Sequence, residues 1–241
     1  ALLHSNKTER RILLANRAPF EIFGNDISEE AKNQLYTALK LPISVQGALM
    51  PDAHSGYGLP LGGVLAVENA VIPYGVGMDI GCRMSLSIVD TPISYLDGAK
   101  DKYEKALVEN TKFGMSEVHK SVFDHEIFDN ETFNLIPILK RLKGKAIKQL
   151  GSSGGGNHFV EFGEVEITEE DQQIGLPKGK YLGILSHSGS RGLGAEIAQY
   201  YSRVATEQCP LPKEAQNFAW LDLDSHLGLE YWTAMNLAGD Y

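Results

Sequence analysis

The chain has 241 residues and a formal net charge of −9, from 31 Asp and Glu against 22 Lys and Arg. This length predicts one domain, or two at most, with enough chain to bury a sizeable core. The acidic balance excludes a general coat for nucleic acid or for an anionic membrane, because its long-range field would repel phosphate. Any polyanion must therefore be held locally, by a few basic residues or by bound cations.

The cysteine count and the hydropathy pattern indicate the cellular compartment in which the protein works. Cys82 and Cys209 are too few for a disulfide framework and favour a reducing compartment, which we take to be the cytoplasm. No apolar run reaches the roughly 18 residues of a membrane span. Residues 1–11 are polar after two leucines, unlike a signal peptide, and the missing initiator Met suggests a processed, trimmed or partial chain. We therefore expect no membrane partner.

The first predicted element is a helix that starts at Asp26, where Glu29 would complete a capping box. Its apolar face at helical spacing consists of Ile27, Ala31, Leu35 and Leu39. Pro42 ends the pattern. Residues 50–83 then contain seven glycines, which predicts mostly turns and close backbone approaches around short strands such as Val64–Val67.

The rest of the chain alternates predicted strands and helices. The predicted strands cover Ser85–Val89, about His158–Val165, and Tyr181–Ser186. The predicted helices are Lys100–Thr111, Leu135–Leu150 with Pro137 tolerated in its first turn, about Ala195–Thr206, and roughly Leu229–Ala238. No repeat or domain linker is recognisable, so we predict an α+β (mixed α/β) fold. Residues 1–241 would form a single domain with glycine-rich loops around a central sheet.

Side chains that can bind a metal stand in or beside several of the glycine-rich segments. They are Asp52, His54, Asp79, Cys82, His158, Glu161 and His187. None of the segments matches a Walker loop or the dinucleotide fingerprint. Thiolate, imidazole and carboxylate together indicate a divalent-metal site, and the softness of these ligands points to zinc first. The spacing alone does not define the ligand set, because the candidates come from separate loops.

Structural explanations compete with each of these assignments. Cys82 could be a small apolar core residue, and His187 a hydrogen-bonded structural group. Asp79 could cap a turn, and Asn157 could bridge its own loop. In a flat strand the side chains at positions 158 and 161 would point to opposite faces, so both serve one site only if the strand bends.

Four segments, in order, carry a resemblance to a known family. They are Pro51-Asp-Ala-His-Ser-Gly-Tyr-Gly58, Gly77-Met-Asp-Ile-Gly-Cys82, Gly155-Gly-Asn-His-Phe-Val-Glu161 and His187-Ser-Gly-Ser-Arg-Gly-Leu-Gly194. With them, the chain resembles the RtcB-type RNA-splicing ligases from about Val45 to its last residue. The resemblance implies a GTP-dependent, manganese-dependent ligase that joins an RNA 3′-phosphate or 2′,3′-cyclic phosphate to a 5′-hydroxyl, in tRNA splicing or RNA repair.

The resemblance also implies roles for individual residues. Cys82 would bridge two Mn²⁺ ions, Asp79 and His158 would complete one metal site, and His187 would belong to the other. The GTP site would be lined by Asn157, His158, Phe159, Val160 and Glu161, with the amide at 157 touching phosphate. Arg191 would hold an RNA or nucleotide phosphate in a fork.

Further residues are placed less directly by the resemblance. Asp52 and His54 would either orient the ligands, which we favour, or act as acid–base helpers. Arg83 stands where many family members have Gly, and it either adds a phosphate contact or crowds the site. The family's nucleotidyl-accepting histidine falls beyond the last residue, so no residue of this sequence is predicted to carry the guanylate.

Three functional hypotheses remain open at this point. The 241 residues are part of a ligase that acts on RNA ends with GTP, with or without an activating protein partner. Alternatively, they form a metal-dependent phosphodiesterase or cyclic-phosphate-processing enzyme that works without guanylylation. The third hypothesis is a non-catalytic paralogue that binds RNA ends.

Overall fold

A computed structural model describes residues 13–121, 123–170 and 175–241. Helices and several small sheets occur together, which confirms the predicted α+β class. The chain clusters into two compact units. The first unit comprises the chain up to Ile80 and Ala195–Leu237, and the second comprises Gly81–Gly194 and Ala238–Tyr241. That residues 1–241 form a single domain stays a prediction, and residues 1–12 lie outside the described part.

The elements are numbered in chain order. The strands are β1 (Phe20–Ile22), β2 (Ser44–His54), β3 (Leu61–Val67), β4 (Ala70–Val71), β5 (Arg83–Pro92), β6 (Phe159–Ile167), β7 (Gly179–Ser188) and β8 (Leu221–Asp222). The α-helices are α1 (Glu29–Ala38), α2 (Pro73–Val76), α3 (Ser94–Gly98), α4 (Lys100–Asn110), α5 (Thr132–Leu135), α6 (Pro137–Gln149), α7 (Arg191–Gln208) and α8 (His226–Asp240). Short 3₁₀ helices cover Glu126–Asp129 and Lys213–Phe218.

In the first unit, a three-stranded sheet is covered by the apolar face of α1. Strand β2 lies in the middle, parallel to β1 and antiparallel to β3. The predicted helical spacing is correct, because one buried cluster contains Ile27, Ala31, Leu35 and Leu39 together with Leu49 and Ala53. Residues four apart in a helix share a face, so this stripe turns its side chains toward the sheet.

The predicted N-cap of α1 is wrong by two residues. Ser28 is the cap, and its Oγ accepts a hydrogen bond from the N–H of Ala31 at 3.2 Å. Glu29, the expected capping-box partner, is instead the first helical residue and forms an exposed ion pair of 2.8 Å with Lys32. Serine and aspartate cap helices about equally well, so composition alone could not choose between positions 26 and 28.

The glycine-dense region contains more strand than the sequence indicates. Strand β2 continues through Pro51 to His54, although its pairing with β3 is irregular between Leu49 and His54. The predicted strand at Val64–Val67 is confirmed and begins earlier, at Leu61. A proline is tolerated at such an irregularity because no regular ladder hydrogen bond is required of it.

The second unit contains the antiparallel sheet that carries most of the candidate site. Strand β7 lies in the middle, with β5 and β6 on its two sides. Met84, His187 and Phe159 pair across the three strands in register. All three predicted strands are confirmed: β5 and β7 extend beyond the predicted ends, and β6 begins one residue after His158 and ends two residues later than predicted. The expected conflict between positions 158 and 161 is therefore removed, since the histidine precedes the strand.

The predicted helices are confirmed with shifted ends. Helix α6 starts at Pro137 and buries Ile138, Leu139, Leu142 and Ala146. Helix α7 starts four residues before the predicted Ala195. Its first turn is held by Gln149, whose Oε1 accepts a hydrogen bond from the N–H of Gly192 at 3.0 Å. In the described part of the chain, none of the helices combines the length and apolar character needed to cross a membrane.

Candidate metal centre

One end of the β5–β7–β6 sheet brings three separated residues together. Cys82 immediately precedes β5, His158 immediately precedes β6, and His187 is the last residue but one of β7. Both outer strands run antiparallel to β7, so their first residues meet its last residues at the same end of the sheet. The strand register therefore gathers a thiol and two imidazoles that lie up to 105 positions apart in sequence.

The ligand atoms of this cluster are close enough to share an ion. The sulfur of Cys82 and one nitrogen from each of His158 and His187 all lie within 4.8 Å of one another. The Sγ lies 2.9 Å from Nε2 of His187 and 3.5 Å from Nε2 of His158, and the two ring centroids are 5.3 Å apart. The thiol is exposed and both imidazoles are half-buried, so an ion can reach the cluster from solvent.

Each imidazole is oriented by a contact on its other side. Nδ1 of His158 lies 2.5 Å from the carbonyl oxygen of Ser153. A carbonyl only accepts, so Nδ1 carries the proton and the Nε2 lone pair faces the sulfur. His187 packs edge-on against the ring of Phe159, with centroids 5.7 Å apart and an interplanar angle of 82°.

The donor set fits a divalent transition metal. A tetrahedral ion with bonds of about 2.3 Å to sulfur and about 2.0 Å to nitrogen holds the two donor atoms about 3.5 Å apart. The distance between Cys82 and His158 has this value, whereas the 2.9 Å contact with His187 is a direct sulfur–nitrogen hydrogen bond. Thiolate and imidazole favour zinc and its neighbours; manganese prefers additional oxygen ligands.

Three further predicted site residues lie in the first unit: the predicted metal ligand Asp79, and Asp52 and His54, which were expected to orient ligands or to act as acid–base helpers. Asp79 is half-buried and stands three residues before Cys82 in sequence. Asp52 and His54 are exposed at the end of β2, where Nδ1 of the histidine donates to the carbonyl of residue 52 at 2.9 Å. The role of Asp79 as a metal ligand and the roles of Asp52 and His54 beside the ligands stay predictions.

The residues predicted to bind GTP lie on both faces of the sheet. Asn157 is exposed, just before β6. Phe159 and Glu161 share the face of His187, because side chains alternate along a strand. Val160 points to the opposite face, where it lines a cavity of about 520 Å³. Their role in binding GTP is not tested by this geometry.

That cavity lies within the second unit and has several polar side chains in its lining. Arg83, Arg191, Asp240 and Gln149 line it together with serines 85, 152, 153, 186, 188 and 190. Arg83 belongs to the face of β5 opposite the register position of His187, so its side chain points into the cavity and away from that imidazole. The predicted phosphate contact of Arg83 stays a prediction.

Arg191 is buried, with 8% of its surface exposed. Its guanidinium donates to Ser152 Oγ at 3.3 Å and to the carbonyl oxygens of Gly114 at 3.0 Å and Met115 at 3.4 Å. Through these contacts Arg191 holds together the loops at residues 114–115 and 152. The predicted phosphate fork stays a prediction.

Sequence reasoning missed the loop that supports His158. The run of glycine and serine at Gly151–Gly156 is visible in the sequence, but it contains no ionisable side chain. Its contribution is the backbone carbonyl of Ser153, which accepts from His158 and also from Ser188 Oγ at 2.9 Å. The signal was the glycine density at residues 151–156, shortly before a candidate ligand.

The fold and the cluster define an α+β protein with a candidate metal centre. The family model described as "tRNA-splicing ligase RtcB" matches residues 34–134 and 136–241. The chain therefore belongs to the RtcB family, as the four sequence segments predict.

Relatives from three domains of life have the same assignment. The "RNA-splicing ligase RtcB homolog 1" of Entamoeba dispar is 27% identical over 268 residues, which cover 95% of this chain and 50% of the relative. The "tRNA-splicing ligase RtcB" of Thermococcus kodakarensis is 27% identical over 93% of this chain and 56% of its own length. The "RNA-splicing ligase RtcB" of Escherichia coli K12 is 28% identical over 82% and 50%. The chain spans about half the length of the curated relatives it matches.

Proposed function

We propose that this chain supplies the metal-binding part of an RNA ligase that depends on Mn²⁺ and GTP. The reaction would join a 3′-phosphate or 2′,3′-cyclic phosphate end to a 5′-hydroxyl end. The observation that carries the proposal is the gathering of Cys82, His158 and His187 within 4.8 Å in a member of a family named for RNA splicing. The strand register brings the three side chains together.

The cluster suits phosphoryl transfer. Two divalent ions, when bound, neutralise phosphate charge and align attacking and leaving oxygens. Cys82 would act as the shared thiolate between His158 and His187, each of which presents Nε2 to the sulfur. Asp79 would add the oxygen ligand that manganese prefers. Manganese itself is proposed from the family resemblance, because the sulfur and nitrogen donors alone favour zinc.

The remaining assignments extend this site toward its substrates. The segment Asn157–Glu161 would bind GTP, Arg191 would hold a phosphate, and Asp52 and His54 would orient ligands. A net charge of −9 argues against RNA binding over a broad surface. Two bound ions would supply four positive charges at the place where the phosphates react.

We propose no residue of the present sequence as the one that carries the guanylate. Cys82 and Cys209 are both free thiols, consistent with the reducing cytoplasm proposed here as the location.

The test compares RNA ends bound by the purified chain. With Mn²⁺ present, an RNA with a 3′-phosphate is expected to bind at least about tenfold more tightly than the same RNA with a 3′-hydroxyl, since charge-assisted contacts distinguish the two. Cys82→Ala should abolish this preference. An equal affinity for both ends in the unmodified chain contradicts the proposal.

Two other results would favour one of the alternative functions over the ligase. Manganese-dependent opening of a 2′,3′-cyclic phosphate without GTP would identify a phosphodiesterase. A preference for 3′-phosphate RNA that survives Cys82→Ala would identify a protein that binds RNA ends without using the metal centre.

A further inference from the structure

The carbonyl oxygen of Ser153 joins the two strands that carry the histidines. It accepts Nδ1–H of His158, just before β6, at 2.5 Å, and the hydroxyl of Ser188, in β7 next to His187, at 2.9 Å. One backbone oxygen therefore fixes the orientation of one candidate ligand and ties it to the strand that holds the other. This oxygen lies in a loop with no ionisable side chain of its own.

The loop around this carbonyl is held on both sides. The N–H of Ser153 donates to the carbonyl of Lys112 at 2.8 Å, and the carbonyl of Gly154 accepts from the N–H of Gly114 at 2.6 Å. Ser152 Oγ donates to the carbonyl of Gln149 at 2.6 Å. Because the peptide groups before and after the carbonyl are both paired, its direction is set before any ion binds.

Gly154 is needed for this close packing. It has a positive φ of 89°, which L side chains rarely adopt. A Cβ added there would clash with the guanidinium of Arg191 and would lie 2.9 Å from Nδ1 of His158. The buried guanidinium is itself bonded to Ser152 and Gly114, so it cannot move aside without breaking those hydrogen bonds.

We propose that Ser153 and Gly154 are positioning residues of the metal centre. The carbonyl of Ser153 holds His158 as the Nδ1–H tautomer with Nε2 toward Cys82, and Gly154 lets the loop pass between Arg191 and the imidazole. This inference rests on the proposed metal-binding function. The group that orients His158 is thus a backbone carbonyl. Arg191 contributes only indirectly, because its hydrogen bonds hold the loop that carries this carbonyl.

The first experiment reads the tautomer in the unmodified chain without metal. Long-range ¹H–¹⁵N correlation spectra at about pH 8, above the ordinary imidazole pKa of about 6.5, distinguish a proton on Nδ1 from one on Nε2. The proposal predicts the Nδ1–H pattern for His158, assigned by its loss in His158→Gln. The Nε2–H pattern would overturn it. This measurement needs no variant at the loop to fold.

The second experiment uses three neighbouring glycines as matched variants. Gly154→Ala introduces the clash, Gly156→Ala introduces an alanine at a positive φ of 74° with open space around it, and Gly155→Ala introduces neither. Mn²⁺ affinity is measured by calorimetry, and Co²⁺ substitution reports the metal–thiolate bond through its charge-transfer absorption.

Gly154→Ala is expected to weaken Mn²⁺ binding about 10- to 100-fold, the usual effect of losing a group that orients a ligand. It should also weaken the cobalt–thiolate band, whereas Gly155→Ala should stay within about twofold of the unmodified chain. Gly154→Ala binding as tightly as Gly156→Ala would overturn the proposal, because backbone strain would then explain the whole effect. If the unmodified chain binds no metal, the proposed function fails first. If Gly154→Ala does not fold, the tautomer of His158 decides.

Discussion

His54 in the first unit and His158 in the second are oriented in the same way, yet their surroundings differ. Each stands close to glycines in the sequence, and each donates Nδ1–H to a backbone carbonyl, at 2.9 Å and 2.5 Å respectively. His158 faces the sulfur of Cys82, whereas no cluster of three His, Cys, Asp or Glu ligand atoms forms around His54 within the described ranges. An oriented imidazole is therefore not sufficient for a metal centre.

The difference follows from strand pairing. His158 stands at the start of a strand that pairs in regular register with the strand of His187. His54 ends a strand whose pairing with its neighbour is irregular over its last residues. The regular ladder brings other ligands to His158, and the irregular one leaves His54 exposed.

The largest effect is expected at the shared sulfur. Cys82→Ala should weaken Mn²⁺ binding by more than about 100-fold, because it removes the atom that both imidazoles face, beyond what loss of an orienting group costs. Cys209→Ala removes the other thiol, which is buried with 2% of its surface exposed, and should leave metal affinity unchanged. Calorimetry measures both. If the two variants bind Mn²⁺ with equal affinity, the sulfur of Cys82 is not a metal ligand.

The next variants test the comparison of the two units directly. His187→Ala removes a candidate ligand and should weaken Mn²⁺ binding at least about tenfold more than His54→Ala, whose proposed role is orientation. Both substitutions replace a histidine by alanine, so the difference between their Mn²⁺ affinities reports only where the histidine stands. Similar losses in the two variants would break the distinction between the units.

Two tyrosines with raised pKa values allow the stability of the fold to be tested independently of metal binding. Burial raises the pKa of Tyr241 in the second unit to about 12, against a smaller opposing effect of Arg191. Burial also raises the pKa of Tyr231 in the first unit. A raised pKa means that the folded state holds its proton more tightly, so this stability is complete below about pH 10 and is lost as the pH rises through the folded value.

The free energy of unfolding should therefore fall by about 1–2 kcal/mol per such group between about pH 10 and pH 12. Tyr241→Phe should make this decline shallower, and it should leave Mn²⁺ affinity at neutral pH unchanged. Denaturant titrations across this pH range measure the slope. A decline as steep as in the unmodified chain would show that the Tyr241 hydroxyl, which donates to Ala146 at 2.9 Å, titrates normally.

The smallest effect is expected at Ser188. Ser188→Ala removes one of the two hydrogen bonds that reach the carbonyl of Ser153, and the bond from His158 remains. A single neutral hydrogen bond contributes about 1 kcal/mol or less, so Mn²⁺ binding should weaken by no more than about fivefold. Ser186→Ala, two residues earlier on the same strand face, is the matched control. A larger loss at residue 186 than at residue 188 would contradict the assignment.

Much of this arrangement could be predicted from the sequence, because it depends on local patterns. The apolar stripe of α1, the proline that starts α6 and the alternation in β5 identified these elements to within a few residues. The glycine-rich motifs identified Cys82, His158 and His187, which the structure brings together. Each of these residue types also has ordinary structural uses, so the family resemblance of the four segments was needed to select them.

What escaped prediction depends on backbone atoms and long-range pairing. The support of His158 is a carbonyl, and every residue has one, so composition cannot single out Ser153. The loop is fixed by Lys112 and Gly114, about forty positions earlier, through pairing that no local pattern encodes. For the same reason, the donors of Arg191 could not be assigned to backbone carbonyls from sequence.

The central claim is that Cys82, His158 and His187 hold a divalent metal. Crystals of the chain soaked in Mn²⁺ and measured at the manganese absorption edge test it most directly. An anomalous peak is expected within bonding distance of Cys82 Sγ and of at least one of the two facing Nε2 atoms. A fully soaked crystal with no peak at this end of the sheet would contradict it.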